Sequence, residues 1–155
     1  MTFSLVGRCA QTGMLGAAVT TSSIAVGSRC PFARADVGAV LTQHRTDPRL
    51  GPLALDLLAR GFTAAQTKDA IIAATPHRDW RQLAIIDRGG LTASFSGAHV
   101  AGEKGEAHGK DCVAIANIVR SGALPRAMVE AFESGRSEPL ARRLVDALAA
   151  GEAAG

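Results

Sequence analysis

Thr2 stands in the opening stretch MTFSLVGR, preceded only by Met1. Its side chain is small enough to suit excision of Met1. Excision would place its hydroxyl beside a free α-amine, a pairing that activates a weak nucleophile. Asn117 is the one amide in the otherwise apolar run CVAIANIV. A buried amide without partners costs about 1–3 kcal/mol. Asn117 therefore either bonds to neighbouring backbone or offers its NH2 to a developing oxyanion. Arg34 has the planar fork that grips a carboxylate substrate or steadies an N-terminus; a surface ion pair is its plainer role. Thr42 and Gln43 close one apolar run, and Arg81 and Gln82 open another. Side chains at such strand ends line clefts, which makes these four the candidates for substrate contact; a structural role is the plainer one for Arg81 and Gln82. Threonine is also an ordinary strand residue, so the same stretch reads equally as a strand with no chemistry.

The histidines suggest a metal site less well. His99 and His108 share a polar segment with Glu103 and Glu106, but the spacing matches no helix-borne or zinc-finger pattern. No metal and no cofactor is expected. Cys9, Cys30 and Cys112 are odd in number and irregular in spacing, with no C-x-x-C. They read as reduced thiols of a cytoplasmic protein rather than as a disulfide framework.

The elements that must position these residues come in runs. Phe3, Leu5 and Gly7 alternate with Ser4, Val6 and Arg8, the period of a strand. Gln11, Thr12 and Gly13 form a turn, and Met14 to Thr21 reads as a strand covered on both faces. Ser22 to Phe32 reads as a connection, with Pro31 as a boundary. Val37 to Gln43 is a further buried strand. Leu50, Leu53, Ala54, Leu57 and Leu58 share one helix face that ends at Gly61. Thr63 and Gln66 form a capping box for a second helix, stopped at Thr75-Pro76. RQLAIID and LTASF are a hairpin around Arg88-Gly89-Gly90. Gly97 to Gly109 reads as a long loop, and 111–119 as a strand. Leu124 to Phe132 then forms a helix with Pro125 in its first turn and Gly135 beyond its end. Ser137 is expected to cap the last helix, which carries Leu140, Leu144 and Leu148.

Strands and helices in separate runs exclude a parallel βαβ domain. The pattern fits one α+β domain over 1–155, with two antiparallel sheets facing each other and helix pairs outside. Its 155 residues are enough for a core. Aromatics are only 4% of the chain, so that core is built from small side chains. A net charge of +3 with no run of like charges gives no footprint for nucleic acid. No apolar segment is long enough to span a bilayer. No basic region precedes one as in a signal peptide.

The blocks TFSLVGR, LGAAV, AVGSRCPFARADVGAVLTQ, GPLALDLL and RQLAIID resemble the bacterial domain-of-unknown-function family 1028. The resemblance covers nearly the whole chain. It implies the four-layer αββα sandwich of the N-terminal nucleophile hydrolases, which strengthens Thr2 as the candidate nucleophile. Members of that family continue past a segment like GEAAG into a Gly-rich loop and a further strand. The chain is therefore expected to lack a final strand, or to be the first fragment of a self-processed hydrolase whose nucleophile lies on a second chain and not at Thr2. An open sheet edge then predicts association with a second copy or a second fragment. The family pattern has Asn where this chain has Asp47. Arg29 and Arg34 stand in the region where proteasome-type relatives carry a Lys, and an Arg cannot shuttle protons. The expected activity is hydrolysis of a small linear or cyclic amide. The rival expectation is a non-catalytic ligand-binding or assembly module on the same fold.

Overall fold

The computed structural model describes residues 1–155. The chain runs β1 (Thr2–Arg8), β2 (Leu15–Thr21), β3 (Pro31–Arg34), β4 (Gly38–His44), α1 (Leu50–Ala59) and α2 (Ala64–Ala74). It continues β5 (Arg81–Asp87), β6 (Thr92–Ser96), β7 (Glu103–Gly109), β8 (Cys112–Val119), α3 (Leu124–Ser134) and α4 (Leu140–Ala154). Two antiparallel four-stranded sheets result, ordered β2-β1-β8-β7 and β3-β4-β5-β6.

Alternation along the central strands creates three apolar layers. Phe3, Leu5, Ala114 and Ala116 face outward onto Leu124, Met128, Phe132 and Leu144 of α3 and α4. Val40, Leu83 and Ile85 face outward onto Leu50, Ala54, Leu58 and Ile71 of α1 and α2. Val6, Ala39, Leu41, Ala84, Ile86, Val113 and Ile115 fill the space between the sheets. The small residues are what let these layers close. A Cβ on Gly7 would stand 2.5 Å from the Phe132 ring, so the glycine is the seat of that ring on β1. The capping box at α2 forms as the sequence implies, with the Thr63 hydroxyl accepting from the Gln66 N–H and the Gln66 side chain accepting from the Thr63 N–H.

Four local expectations are corrected. Residues 103–109 are a strand, not loop: β7 pairs with β8 from Gly109↔Cys112 onward. Its sequence, EKGEAHG, lacks a full apolar face because it is an edge strand, so periodicity did not mark it. The segment around Pro31 is likewise a short edge strand, β3, where the missing N–H of proline is tolerated. β2 is half-buried at every position rather than covered on both faces, since it too lies at an edge. Ser137 does not cap α4; the N-cap is Pro139, without a side-chain cap.

Candidate functional site

Thr2 opens the central strand β1, in register with Thr21 of β2 on one side and Asn117 of β8 on the other. Cross-strand partners share a face. The alternation that sends Phe3 and Leu5 outward therefore turns Thr2, Ser4 and Asn117 into the space between the sheets. The Thr2 and Thr21 hydroxyls lie 2.8 Å apart, and the Thr21 hydroxyl also donates to the Met1 carbonyl at 3.0 Å. The Met1 amine faces the Ser22 hydroxyl at 3.4 Å.

Beneath Thr2 a polar chain joins the two sheets. The Ser4 hydroxyl donates to Gln43 Oε1 at 2.7 Å. Gln43 Nε2 donates to Gln82 Oε1 at 2.7 Å, and Asn117 Nδ2 donates to the same oxygen at 2.9 Å. Gln82 Nε2 donates in turn to the Ser96 hydroxyl and the Ala116 carbonyl, both at 3.0 Å. Ser4, Gln43, Gln82 and Asn117 are all buried. Such a network is stable only because its members satisfy one another.

Backbone strain sits beside it. Ile118, next to Asn117, has φ 54°, and the register of β7 and β8 shifts there between Glu103 and Lys104. A β-branched residue in the left-handed region is an outlier. The bulge ends the regular alternation of β8 and leaves Ile118 exposed while Asn117 stays buried. His44, next to Gln43, also has positive φ, at 66°. Its ring is held between the Trp80 carbonyl, 2.9 Å from Nδ1, and the Ala101 N–H, which donates to Nε2 at 3.2 Å.

The structure gathers Thr2, Asn117, Gln43 and Gln82 at one end of the sandwich and leaves the remaining candidates elsewhere. Thr42 faces the opposite side of its sheet, with its hydroxyl 3.4 Å from the Asp47 carbonyl. Arg81 also turns away from the sheet interface, donating to the carbonyls of Arg45 and Pro76 and lying 3.9 Å from Asp47. Arg34 is separated from Thr2. It pairs with Gly38 at the far end of β4 from Gln43, and its guanidinium binds Asp56 at 2.9 Å on the surface. Antiparallel pairing of the short β3 dictates that placement, so Arg34 cannot steady the N-terminus. An activated hydroxyl must meet its substrate, which calls for a cleft mouth at Thr2. The space beneath that position is filled by the amide network, and none of the five main cavities is lined by Thr2 or Asn117. The residues that sequence reasoning missed are Ser4 and Ser96. The available signal for Ser4 was a polar side chain at an inward position of β1.

The candidate metal ligands go to different tasks. His99 packs against the Trp80 ring with centroids 5.0 Å apart. The His108 ring bridges the sheets, bonded to the Thr92 and Ser94 hydroxyls at 2.7 Å each. Among ionisable groups, Asp47 is held below the usual carboxylate range, chiefly by hydrogen bonds from Arg49 against a desolvation cost. Burial pushes the Cys30 and Cys112 thiols up to about 12. The Thr12 hydroxyl, then the Thr12 and Gln11 backbone N–H groups and the charge of Arg143, hold the Cys9 thiol below its ordinary value.

Two antiparallel sheets with a buried polar bridge and helix pairs outside define an α+β sandwich. The chain belongs to the family of unknown function DUF1028, whose model matches residues 2–155. Its fold is shared by a crystal structure of a protein of that family from Silicibacter pomeroyi, with a TM-score of 0.94 at 29% identity. The alignment covers 99% of this chain and 71% of the other. No curated protein matches the chain. No helix is long and apolar enough to cross a membrane.

Proposed function

We propose that the chain is an amide hydrolase of the N-terminal nucleophile type, with Thr2 as the attacking group once Met1 is removed. The observation that carries this reading is the pairing of Thr2 with Asn117 on the inward face, directly beside the strained Ile118. Strain of this kind costs on the order of 1–3 kcal/mol and concentrates at functional sites. In the proposed reaction the Thr2 α-amine takes the hydroxyl proton and the oxygen attacks the amide carbonyl carbon. The C–N bond then breaks, the proton passes to the leaving amine, and an acyl ester remains on Thr2. Water cleaves that ester to the carboxylic acid and restores the hydroxyl. One Asn117 N–H is committed to Gln82; the second is the donor assigned to the oxyanion. Gln43 and Gln82 act by fixing the Asn117 amide, and the substrate is a small linear or cyclic amide.

A second reading is a ligand-binding or assembly module on the same sandwich. It is favoured by the closed network, in which the Asn117 amide already has Gln82 as partner and the Thr2 hydroxyl has Thr21. Intact mass of the purified protein, followed by a screen of small amides, separates the two. Loss of one methionine together with Thr2-dependent turnover supports the hydrolase. A retained Met1 with no turnover supports the module.

A further inference from the structure

At the other end of β1, about 20 Å from Thr2 at strand rise, the turn into β2 encloses a cavity of about 100 Å³. Its wall carries four cations, Arg8, Lys110, Arg136 and Arg143, with Asp111 as the only carboxylate. Asp111 is already bound to Arg8 Nη1 at 3.0 Å. Arg143 is only 4% exposed. Its guanidinium lies 3.8 Å from the Phe132 ring centroid, and its one hydrogen bond runs from Nε to the Phe132 carbonyl at 3.1 Å. No carboxylate forms an ion pair with it. A buried guanidinium without a counter-charge is costly, and its Nη groups, which have no partner in the chain and still reach the solvent of the cavity, are free to take an acceptor. Arg8 Nε, in the same wall, is a fully buried donor with no partner. The nearby Glu133 carboxylate is engaged by the Lys110 N–H at 2.6 Å.

We infer that this cavity binds a tetrahedral oxyanion, either free phosphate or the terminal phosphate of a small ester, with Arg143 as its buried anchor. Arg136 and Lys110, both exposed, supply charge at the mouth, and Cys9, only 6% exposed, is among the residues that line the cavity, so a reagent reaches it through this opening. The volume admits one such group and little more. The guanidinium fork of Arg143 suits two oxygens of a phosphate, and the absence of any protein carboxylate on it leaves that role to the ligand. A bound anion shields Cys9 from reagents in solution. The site is independent of Thr2 chemistry.

The test is the rate of Cys9 alkylation by iodoacetamide, read by peptide mass mapping, in the whole protein. Inorganic phosphate and glycerol phosphate are titrated separately against chloride at matched ionic strength. Saturable slowing of roughly tenfold by either phosphate, with a rise in melting temperature, is expected. Tighter protection by the ester assigns the site to a phosphorylated small molecule, and tighter protection by inorganic phosphate assigns it to the free anion. Arg143→Met abolishes the protection. Should that variant fail to fold, the surface double variant Arg136→Ala/Lys110→Ala serves instead and weakens protection several-fold. Equal rates in phosphate and chloride, or full protection in a folded variant of either kind, overturn the proposal.

Discussion

Asn117 and Gln82 lie on different sheets, yet the Asn117 Nδ2 donates to Gln82 Oε1 at 2.9 Å inside the molecule. That bond ties β8 to β5 directly below the position of Thr2. Every proposal about Thr2 therefore also involves the amide network.

Replacing Asn117 separates catalysis from structure. In the hydrolase reading, Asn117→Ala lowers kcat by about a hundred-fold and leaves KM nearly unchanged, because the contact exists mainly in the transition state. Thr2→Ala abolishes turnover and Thr2→Ser retains part of it. Kinetics and melting temperature measured on the same samples decide the matter. A lower melting temperature with normal activity per folded molecule makes Asn117 purely structural.

Gln82 is the hub of the network, accepting from Gln43 and Asn117 and donating to Ser96 and Ala116. Gln82→Leu removes an acceptor that two buried amides share. A destabilisation of about 2–4 kcal/mol is expected from the orphaned donors. Urea unfolding measures it, and Ser4→Ala, at the end of the chain, costs less.

Ile118 tests the meaning of strain. Its side chain is half exposed and its φ is positive. Ile118→Gly relieves that conformation and is expected to raise stability by up to about 1 kcal/mol, the gain being reduced by the freer unfolded chain. Glycine keeps the bulge, so a loss of turnover ties the reaction to the strained Ile118 itself and not to the path of the chain. A more stable and fully active variant shows that the strain has no part in the reaction.

Stability depends on pH at both extremes. The folded Cys30 and Cys112 thiols sit near 12, raised from 9.0 by burial. The unfolded chain therefore releases those protons first, and their contribution is whole below pH 9.0 and lost as pH rises toward 12. Asp47 is depressed below 3.8, so its contribution is present above that value and lost as pH falls through the folded value. Urea midpoints across the pH range are expected to fall on both flanks. At neutral pH Cys9 alkylates ahead of Cys30 and Cys112, as peptide mapping will show.

The sequence by itself determined the central strands, the four helices and their layering. Those elements bury whole faces, so their periodicity is written in Phe3, Leu5, Val6, Val113, Ile115 and the leucine face of α4; on α1 the buried face is Leu50, Ala54, Leu55 and Leu58, rotated from the expected one, which leaves Leu53 exposed. The capping box at Thr63 and Gln66 and the turn at Gly13 were equally local. Edge strands were not legible, because residues such as Lys104, Glu106 and His108 pair by backbone and need no apolar face. The candidate site was legible only as residue types. Gln43, Gln82 and Asn117 sat in the sequence as polar side chains at strand ends or within an apolar strand. Their meeting depends on two sheets stacking face to face at one register. Tertiary structure alone placed Arg34 at the wrong end of its strand for Thr2. It also buried Arg143, one arginine among many in the sequence, against Phe132 and beside Cys9. Charge and polarity are properties of a residue, whereas burial and partnership are properties of the packed chain.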